Sequence, residues 1–110
     1  MNDGRCELRL TRRFAASREE VWRALTEPDS VARWLDPPPG VELRPVEPER
    51  MLELVWRPVG EEPSIVRVEL RAEGSGTTLV LDHRRIVAAL GMRYLRVWTA
   101  RLDAFAEALR

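Results

Sequence analysis

A chain of 110 residues has the commonest size of a single domain, and its composition limits the functions open to it. Apolar residues make up 45% of the chain and charged residues 33%, as in soluble globular proteins rather than disordered ones. The 18 basic residues, all of them arginine, balance 18 acidic residues, whereas nucleic-acid-binding faces are usually basic. We therefore expect one soluble domain, residues 1–110, with no nucleic acid as partner.

Membrane, metal and cofactor binding are also not expected. No apolar run approaches the roughly 20 residues of a membrane-spanning helix, and the first six residues lack the apolar core of a secretory signal. One histidine and one cysteine cannot supply a typical zinc site, and a single cysteine cannot form an internal disulfide. The sequence therefore predicts a cytoplasmic protein without a cofactor.

The N-terminal half begins with a strand and continues with two short helices. Residues 7–14 alternate between apolar and polar, which is the period of a half-buried strand. Ser17 and Glu20 have the spacing of a capping box and predict the start of a helix. Pro28 suits the first turn of a second helix, and the prolines at 37–39 end it because proline cannot continue helical hydrogen bonding.

The middle of the chain predicts further strands. Residues 51–57, 64–72 and 77–83 each alternate with period two, so each predicts a strand with one apolar face. The Gly-Ser-Gly sequence at 74–76 marks a hairpin between the last two of them. Residues 41–45 predict a short strand at the edge of the sheet. Together with the first strand, these segments predict one antiparallel sheet.

From Ile86 onward the apolar period changes to that of a helix. The apolar stripe consists of Leu90, Tyr94, Trp98, Leu102, Phe105 and Leu109. A helix of this length spans about 35 Å, enough to cross the whole sheet. Gly91 lies inside the pattern, and either a close approach to the sheet or fraying of the first turn would explain it. The predicted fold class is therefore α+β, with a long C-terminal helix lying across an antiparallel sheet.

Three blocks of sequence, in the same order, resemble the START-like, or SRPBCC, superfamily. Residues 12–28 (RRFAASREEVWRALTEP) are similar to its opening signature, in particular to the branch related to the C-terminal domain of the Hsp90 ATPase activator. Residues 47–56 (EPERMLELVW) resemble its strand introduced by a Pro-Glu turn, and residues 76–83 (GTTLVLDH) its Gly-Thr strand ending in histidine. Trp34 falls where that family carries an aromatic pair. The resemblance implies a helix-grip fold with a curved antiparallel sheet, two short helices after strand 1 and a long C-terminal helix.

The middle of the chain departs from this family. Its members usually have further strands between the aromatic pair and the Pro-Glu turn, where this chain has only residues 36–46. About one hairpin is therefore missing. The resemblance then implies a shorter sheet, a shallower or more open cavity, and apolar surface or a strand edge left uncovered.

A cavity between the sheet and the long helix would be lined by inward-facing side chains from several predicted elements. Binding pockets are mostly apolar with a few polar groups, although the same side chains would also serve as simple core packing. A buried tryptophan requires a partner for its indole N–H, which an inward-facing histidine or a ligand would supply. The candidate cavity residues are Arg12, Trp22, Trp34, Leu54, Trp56, Val68, Leu81, His83, Tyr94, Trp98 and Leu102.

His83 and Arg12 are the polar members of this set. His83 has the parity of Leu79 and Leu81, so it faces the helix, and it titrates near neutral pH. Asp82 points to the opposite face, which argues against a Ser-His-Asp arrangement. His83 either bonds to backbone or water at a strand end, or contacts a ligand or transfers a proton. Arg12 either holds a ligand carboxylate or reaches past the sheet edge to pair with an acid of the helix.

Three functions follow from these features and the resemblance. The leading hypothesis is a non-catalytic protein that binds a small apolar or amphipathic molecule between the sheet and the C-terminal helix. The second is a protein-interaction module, as the Hsp90-activator resemblance implies, with a homodimer as its simplest form. The third is an enzyme resembling the polyketide cyclases of the superfamily, with His83 as general acid or base.

Overall fold

The first strand leads into two short helices, and four further strands precede the long helix. A computed structural model describes residues 4–109. Residues 1–3 and 110, which are the ends of the predicted domain and include half of the six-residue segment considered for a secretory signal, lie outside this range. The elements are β1 (Arg5–Phe14), α1 (Arg18–Thr26), α2 (Pro28–Trp34), β2 (Arg44–Glu47), β3 (Met51–Trp56), β4 (Ser64–Glu73), β5 (Gly76–Val87), a 3-10 turn (Ala88–Leu90) and α3 (Gly91–Ala108).

The five strands form one curved antiparallel sheet in the order β1-β5-β4-β3-β2. Residues along β4 alternate between buried and less buried, and so do those along most of β5, as the period-two pattern predicted. The buried face carries the apolar core, which lies between the sheet and the helices. This arrangement confirms the predicted α+β helix-grip fold.

The sequence prediction for the end of β5 was wrong. Ile86 does not start a helix but remains in the strand, opposite Cys6 of β1. Just before it, two residues of β5, Arg84 and Arg85, stand opposite Glu7 alone, which makes a β-bulge, and Arg85 takes a positive φ of 63°. The extra residue returns Ile86 to the buried face. The period-two pattern of apolar residues is therefore interrupted by one position, and the interrupted pattern resembles the apolar spacing of a helix.

The long helix α3 begins later than predicted, at Gly91. A β-carbon added to Gly91 would lie 3.0 Å from Cys6 Sγ. A close approach to the sheet, one of the two explanations for this glycine, is therefore confirmed. Neither α3 nor any other helix within residues 4–109 is long and apolar enough to cross a membrane.

The edge of the sheet beyond β3 is short. The predicted strand at 41–45 is displaced along the chain to Arg44–Glu47, and all four of its residues are exposed. Pro45 fits this position because edge strands tolerate a residue without an N–H. β2 pairs with β3 only from Met51 to Glu53. Within the described residues, the rest of β3 has no strand partner on that side, as the missing hairpin implied.

The two short helices cover one end of the sheet. Ser17 Oγ accepts a hydrogen bond from the Glu20 N–H at 3.2 Å, so the predicted N-terminal cap of α1 is confirmed. α2 begins with the predicted proline. Its Trp34 donates to the Leu25 carbonyl and packs edge-on against Phe105 of α3, with ring centroids 5.5 Å apart. This end of the interior is held by apolar packing.

The start of β5 leaves no room for a side chain. Gly76 is buried, and an added β-carbon would stand 2.7 Å from the Phe14 carbonyl oxygen. We expect Gly76→Ala to lower the free energy of unfolding by about 1–3 kcal/mol, because β1 and β5 must separate. The measurement is urea unfolding, with Ser75→Ala in the adjacent exposed turn as control, expected within about 0.5 kcal/mol of the parent. Equal effects of the two substitutions would contradict the close approach.

Candidate functional site

His83 lies in the middle of the interior, on the face of β5 that α3 covers. Its side chain is 0% exposed, as are those of Leu79 and Leu81, so the predicted inward parity is confirmed. Two aromatic rings of α3 stand edge-on to the imidazole, that of Tyr94 at 4.7 Å and that of Trp98 at 5.8 Å between ring centroids. The histidine is therefore enclosed by rings rather than placed at a wet strand end.

Both ring nitrogens of His83 have side-chain partners. Trp98 Nε1 is 2.9 Å from Nδ1, and Ser64 Oγ is 2.7 Å from Nε2. An indole N–H is only a donor, so Nδ1 must be the unprotonated acceptor. The neutral ring then carries its proton on Nε2 and donates to the Ser64 hydroxyl. The expected partner for the Trp98 indole is thus confirmed, while backbone and water, considered for His83 from sequence, are replaced by Ser64.

The environment of His83 keeps it neutral. Burial lowers its pKa from 6.5 to about 4 because the charged form loses its hydration. Asp82 does not oppose this effect, since its carboxylate lies on the outer face and pairs with Arg9 at 2.8 Å. With both nitrogens occupied, His83 is poorly placed to take a proton from a substrate. Within residues 4–109, no group of three or more histidine, cysteine or acidic side chains could hold a metal ion.

A second hydrogen-bonded chain runs beside the first. Trp56 Nε1 donates to the Tyr94 hydroxyl at 3.1 Å, and that hydroxyl donates to Glu61 Oε1 at 2.5 Å. Burial, followed by this bond to Glu61, raises the pKa of Tyr94 to about 12. The Trp56 and Trp98 rings are in contact at 5.3 Å between centroids. We refer to Trp56, His83, Tyr94 and Trp98 as the aromatic cluster.

Arg101 covers the outer end of the aromatic cluster. Its guanidinium carbon lies 5.6 Å from the centre of the Trp56 ring and 5.7 Å from that of Trp98, within the range of cation–π attraction. Its Nη1 also donates to the main-chain oxygen of Leu35, just after α2. This side chain therefore connects α3 to the segment that follows α2.

The remaining predicted cavity residues are divided between the core and the surface. Trp34 lies at the other end of α3, and Trp22 of α1 is only half-buried. Arg12 Nη1 donates to Asp103 Oδ1 of α3 at 2.6 Å, which is the pairing with a helix acid considered from sequence. The others are buried core residues: Leu54, Val68, Leu81 and Leu102. The structure thus brings together four of the eleven predicted residues as one cluster.

The aromatic cluster between the sheet and α3 is closed off from solvent in this structure. All members of the aromatic cluster are at most 5% exposed. Pockets of about 300 to 480 Å³ open on the surface instead. Leu54 lines one of about 400 Å³, between residues 40–45 and β3. The candidate site is therefore closed.

Three participating residues were missed from sequence: Ser64, Glu61 and Arg101. Two of them carried a usable signal. Ser64 has the parity of Val66, which marks it as a polar residue on the buried face of β4. Arg101 follows Trp98 by three residues and so shares its face of the helix. Glu61 lies in the β3–β4 loop, where no periodicity indicates its direction.

The same fold occurs in solved structures. Protein CV1439 from Chromobacterium violaceum matches 94% of this chain and 96% of its own, with a TM-score of 0.79 and 19% identity. CalU16 from Micromonospora echinospora matches all of this chain and 78% of its own, with a TM-score of 0.77 and 25% identity. DynU16, a putative protein in the dynemicin biosynthetic locus, has a TM-score of 0.72 and 25% identity over 98% of this chain but 48% of its own.

These likenesses define the class of protein by its architecture. No protein-family model matches the sequence, and the search of curated proteins gives no significant match. The fold is START-like, of the SRPBCC type, and the structural neighbours support that superfamily for this chain.

The lowered pKa of His83 has a defined effect on stability. Because the folded value of about 4 lies below the ordinary 6.5, the unfolded chain takes up the proton first. The contribution of neutral His83 to stability is complete above pH 6.5 and is lost as the pH falls toward 4, by about 3 kcal/mol in total.

His83 is the sole histidine of the chain, so its ring nitrogen signals need no assignment. We expect NMR to show a neutral ring protonated on Nε2, unchanged from neutral pH down to about pH 5. Urea unfolding over the same range gives the stability, with His83→Gln as the non-titrating comparison whose stability falls less. A titration midpoint near the ordinary histidine value would contradict the buried, hydrogen-bonded placement.

Proposed function

We propose that this chain binds a small apolar or amphipathic molecule between the sheet and α3 and does not transform it. The observation that carries the proposal is the aromatic cluster, in which His83 and Tyr94, together with the adjoining Ser64, place polar groups among large rings. Mostly apolar sites with a few convergent polar groups are typical of small-molecule binding. The cluster lies beneath the long helix, in the interior of a START-like fold.

Stability alone does not require this polar network. A buried hydrogen-bonded pair contributes little more than apolar side chains of the same shape, and replacing both partners by such groups is often nearly neutral. His83 also makes the fold sensitive to acid, because its pKa is lowered to about 4. A buried histidine with a perturbed pKa therefore fits a functional site better than a purely structural one.

Opening of the site requires movement at its outer end. Leu35, where the segment after α2 begins, and Glu61 of the 57–63 loop each make a polar contact with α3 at this end. Arg101 holds Leu35, and Tyr94 holds Glu61. Binding would break these ties, and the apparent affinity would fall with the fraction of molecules that are open.

The geometry supports binding better than catalysis. Both nitrogens of His83 are hydrogen-bonded, and Asp82, the neighbouring acid in sequence, points away. A polyketide cyclase-like reaction using His83 as acid or base therefore has less support than a binding function. The place of DynU16 in the dynemicin biosynthetic locus is in keeping with a small-molecule ligand.

A neutral aromatic probe, 2-naphthalenemethanol, tests the proposed site. We expect saturable binding that shifts the indole signals of Trp56 and Trp98 and the ring signals of His83, measured by NMR. The indole of Trp22 lies outside the cluster and provides an internal control. Shifts confined to Trp22, or no saturable binding, would contradict the proposal.

Loosening the outer end should increase affinity for the same probe. Glu61→Ala removes the acceptor of the Tyr94 hydroxyl, so the open fraction rises and binding should strengthen by about 3- to 10-fold. Glu62→Ala in the same loop removes an exposed carboxylate that pairs with Arg5 instead, and it serves as the matched control. Equal affinities of the two variants would show that the loop does not control access.

A second candidate function is a protein-interaction module, in its simplest form a homodimer. The uncovered edge of β3 favours it, since strand edges readily pair with other strands. Val55 on this strand is 41% exposed and Val46 on β2 is 49% exposed, and both lie beside the short edge. Residues 12–28 resemble the branch related to the Hsp90 ATPase activator. Membership of that branch would fit an interaction function, and it is part of the same proposal.

The homodimer predicts a concentration-dependent mass. Sedimentation equilibrium should show association that Val55→Lys abolishes, because a charge on the edge strand opposes pairing. Val59→Lys, in the β3–β4 loop and 98% exposed, should leave the association unchanged. A monomer at every attainable concentration would exclude this function.

A further inference from the structure

Arg101 differs from the other arginines in what surrounds its charge. Ten of the described arginines pair with a carboxylate. Arg101 is not one of them, and it is half-buried. Apart from Arg18 at the start of α1, the other described arginines without such a pair are exposed. A half-buried charge without a close counter-ion is costly unless something compensates it.

The contacts that Arg101 does make are to neutral groups. The guanidinium lies over the rings of Trp56 and Trp98, and one nitrogen donates to the Leu35 carbonyl. Burial lowers the pKa of Arg101, and the negative charge of Asp36, which lies beyond ion-pair distance, opposes this effect. A guanidinium offers five N–H donors in a planar fork, and Leu35 uses one of its nitrogens.

We propose that Arg101 is the anion-binding residue of the site and receives the carboxylate of an amphipathic organic acid. The flat apolar part of that acid would lie against Trp56 and Trp98, beneath the guanidinium. This inference rests on the proposed binding function and adds to it the charge and shape of the ligand. The fork of an arginine matches a carboxylate with two parallel hydrogen bonds, and the faces of aromatic rings suit a flat apolar body.

At this end of the cluster, Arg101 is the group that can receive an anion. His83 is neutral and lies deeper, and Glu61 is engaged by the Tyr94 hydroxyl. Asp36, just after Leu35, is the internal group that would compete with the ligand for Arg101. A ligand carboxylate would thus replace the Leu35 carbonyl as the partner of Arg101 and shield it from Asp36.

Two matched probes test this inference: 2-naphthoate, which carries a carboxylate, and 2-naphthalenemethanol, which has the same ring system without charge. The readout is the ratio of their affinities, measured by titration calorimetry on the full chain. We expect the parent protein to prefer 2-naphthoate by about tenfold or more, since hydrogen bonds to charged groups contribute about 1.5–3 kcal/mol. Increasing salt should weaken 2-naphthoate binding alone.

Substitutions assign the preference to one side chain. Arg101→Met keeps the apolar stem and should bring the affinity ratio close to one, whereas Arg96→Met, exposed on the same helix, should leave it unchanged. Asp36→Asn removes the competing charge without touching the cluster, and it should raise the ratio by about two- to fivefold. Asp36 has a positive φ of 43°, which asparagine tolerates.

The outcomes separate the inference from the function on which it rests. If the alcohol binds at the cluster but the parent shows no preference, or if Arg101→Met keeps the preference, the anion site is overturned and the binding function stands. If neither probe binds at the cluster, both are overturned. A preference lost in Arg101→Met and increased in Asp36→Asn supports both.

Discussion

The hydrogen bond from the Trp98 indole to His83 Nδ1 is the interaction on which the interior depends. At 2.9 Å it joins α3 to the middle of β5 and determines which nitrogen of the imidazole carries the proton. Because Nδ1 is an acceptor, Nε2 must donate, and Ser64 of β4 accepts at 2.7 Å. One donor thus connects the helix to two strands. Neither polar group is left unpaired in a region where an unpaired one would cost about 1–3 kcal/mol.

The two ends of the interior are built differently. Near α1 and α2, rings of Phe14 and Trp34 pack edge-on against Phe105, and apolar packing predominates over the few hydrogen bonds there. At the other end, Tyr94 and Arg101 tie α3 to two flanking segments by polar contacts. Polar ties can be exchanged for bonds to a ligand, whereas a packed apolar core cannot be opened without a cavity. The proposed function therefore belongs to the polar end, and so does the charge of Arg101.

Much of the fold could be predicted from local patterns, because each pattern depends on only a few neighbouring residues. Period-two alternation predicted β1, β3, β4 and most of β5, including the inward direction of His83, and Ser17 with Glu20 predicted the start of α1. The errors have a common cause in irregular pairing. The bulge at Arg84 and Arg85 inserts one residue into β5, and the pairing of β2 with β3 shifts register between Pro45 and Glu47. Pairing with another strand decides such features.

By itself the sequence determined the α+β class, the face on which most residues of β1, β3, β4 and β5 lie, and eleven candidate residues for an interior site. The tertiary structure alone decided which of them meet. It placed Trp34 against Phe105 and Trp98 against His83, paired Arg12 with Asp103, and brought Ser64, Glu61 and Arg101 into contact with the cluster. The physical reason is that face and period are local properties. Hydrogen-bond partners depend on strand register and helix placement, which join residues far apart in the chain.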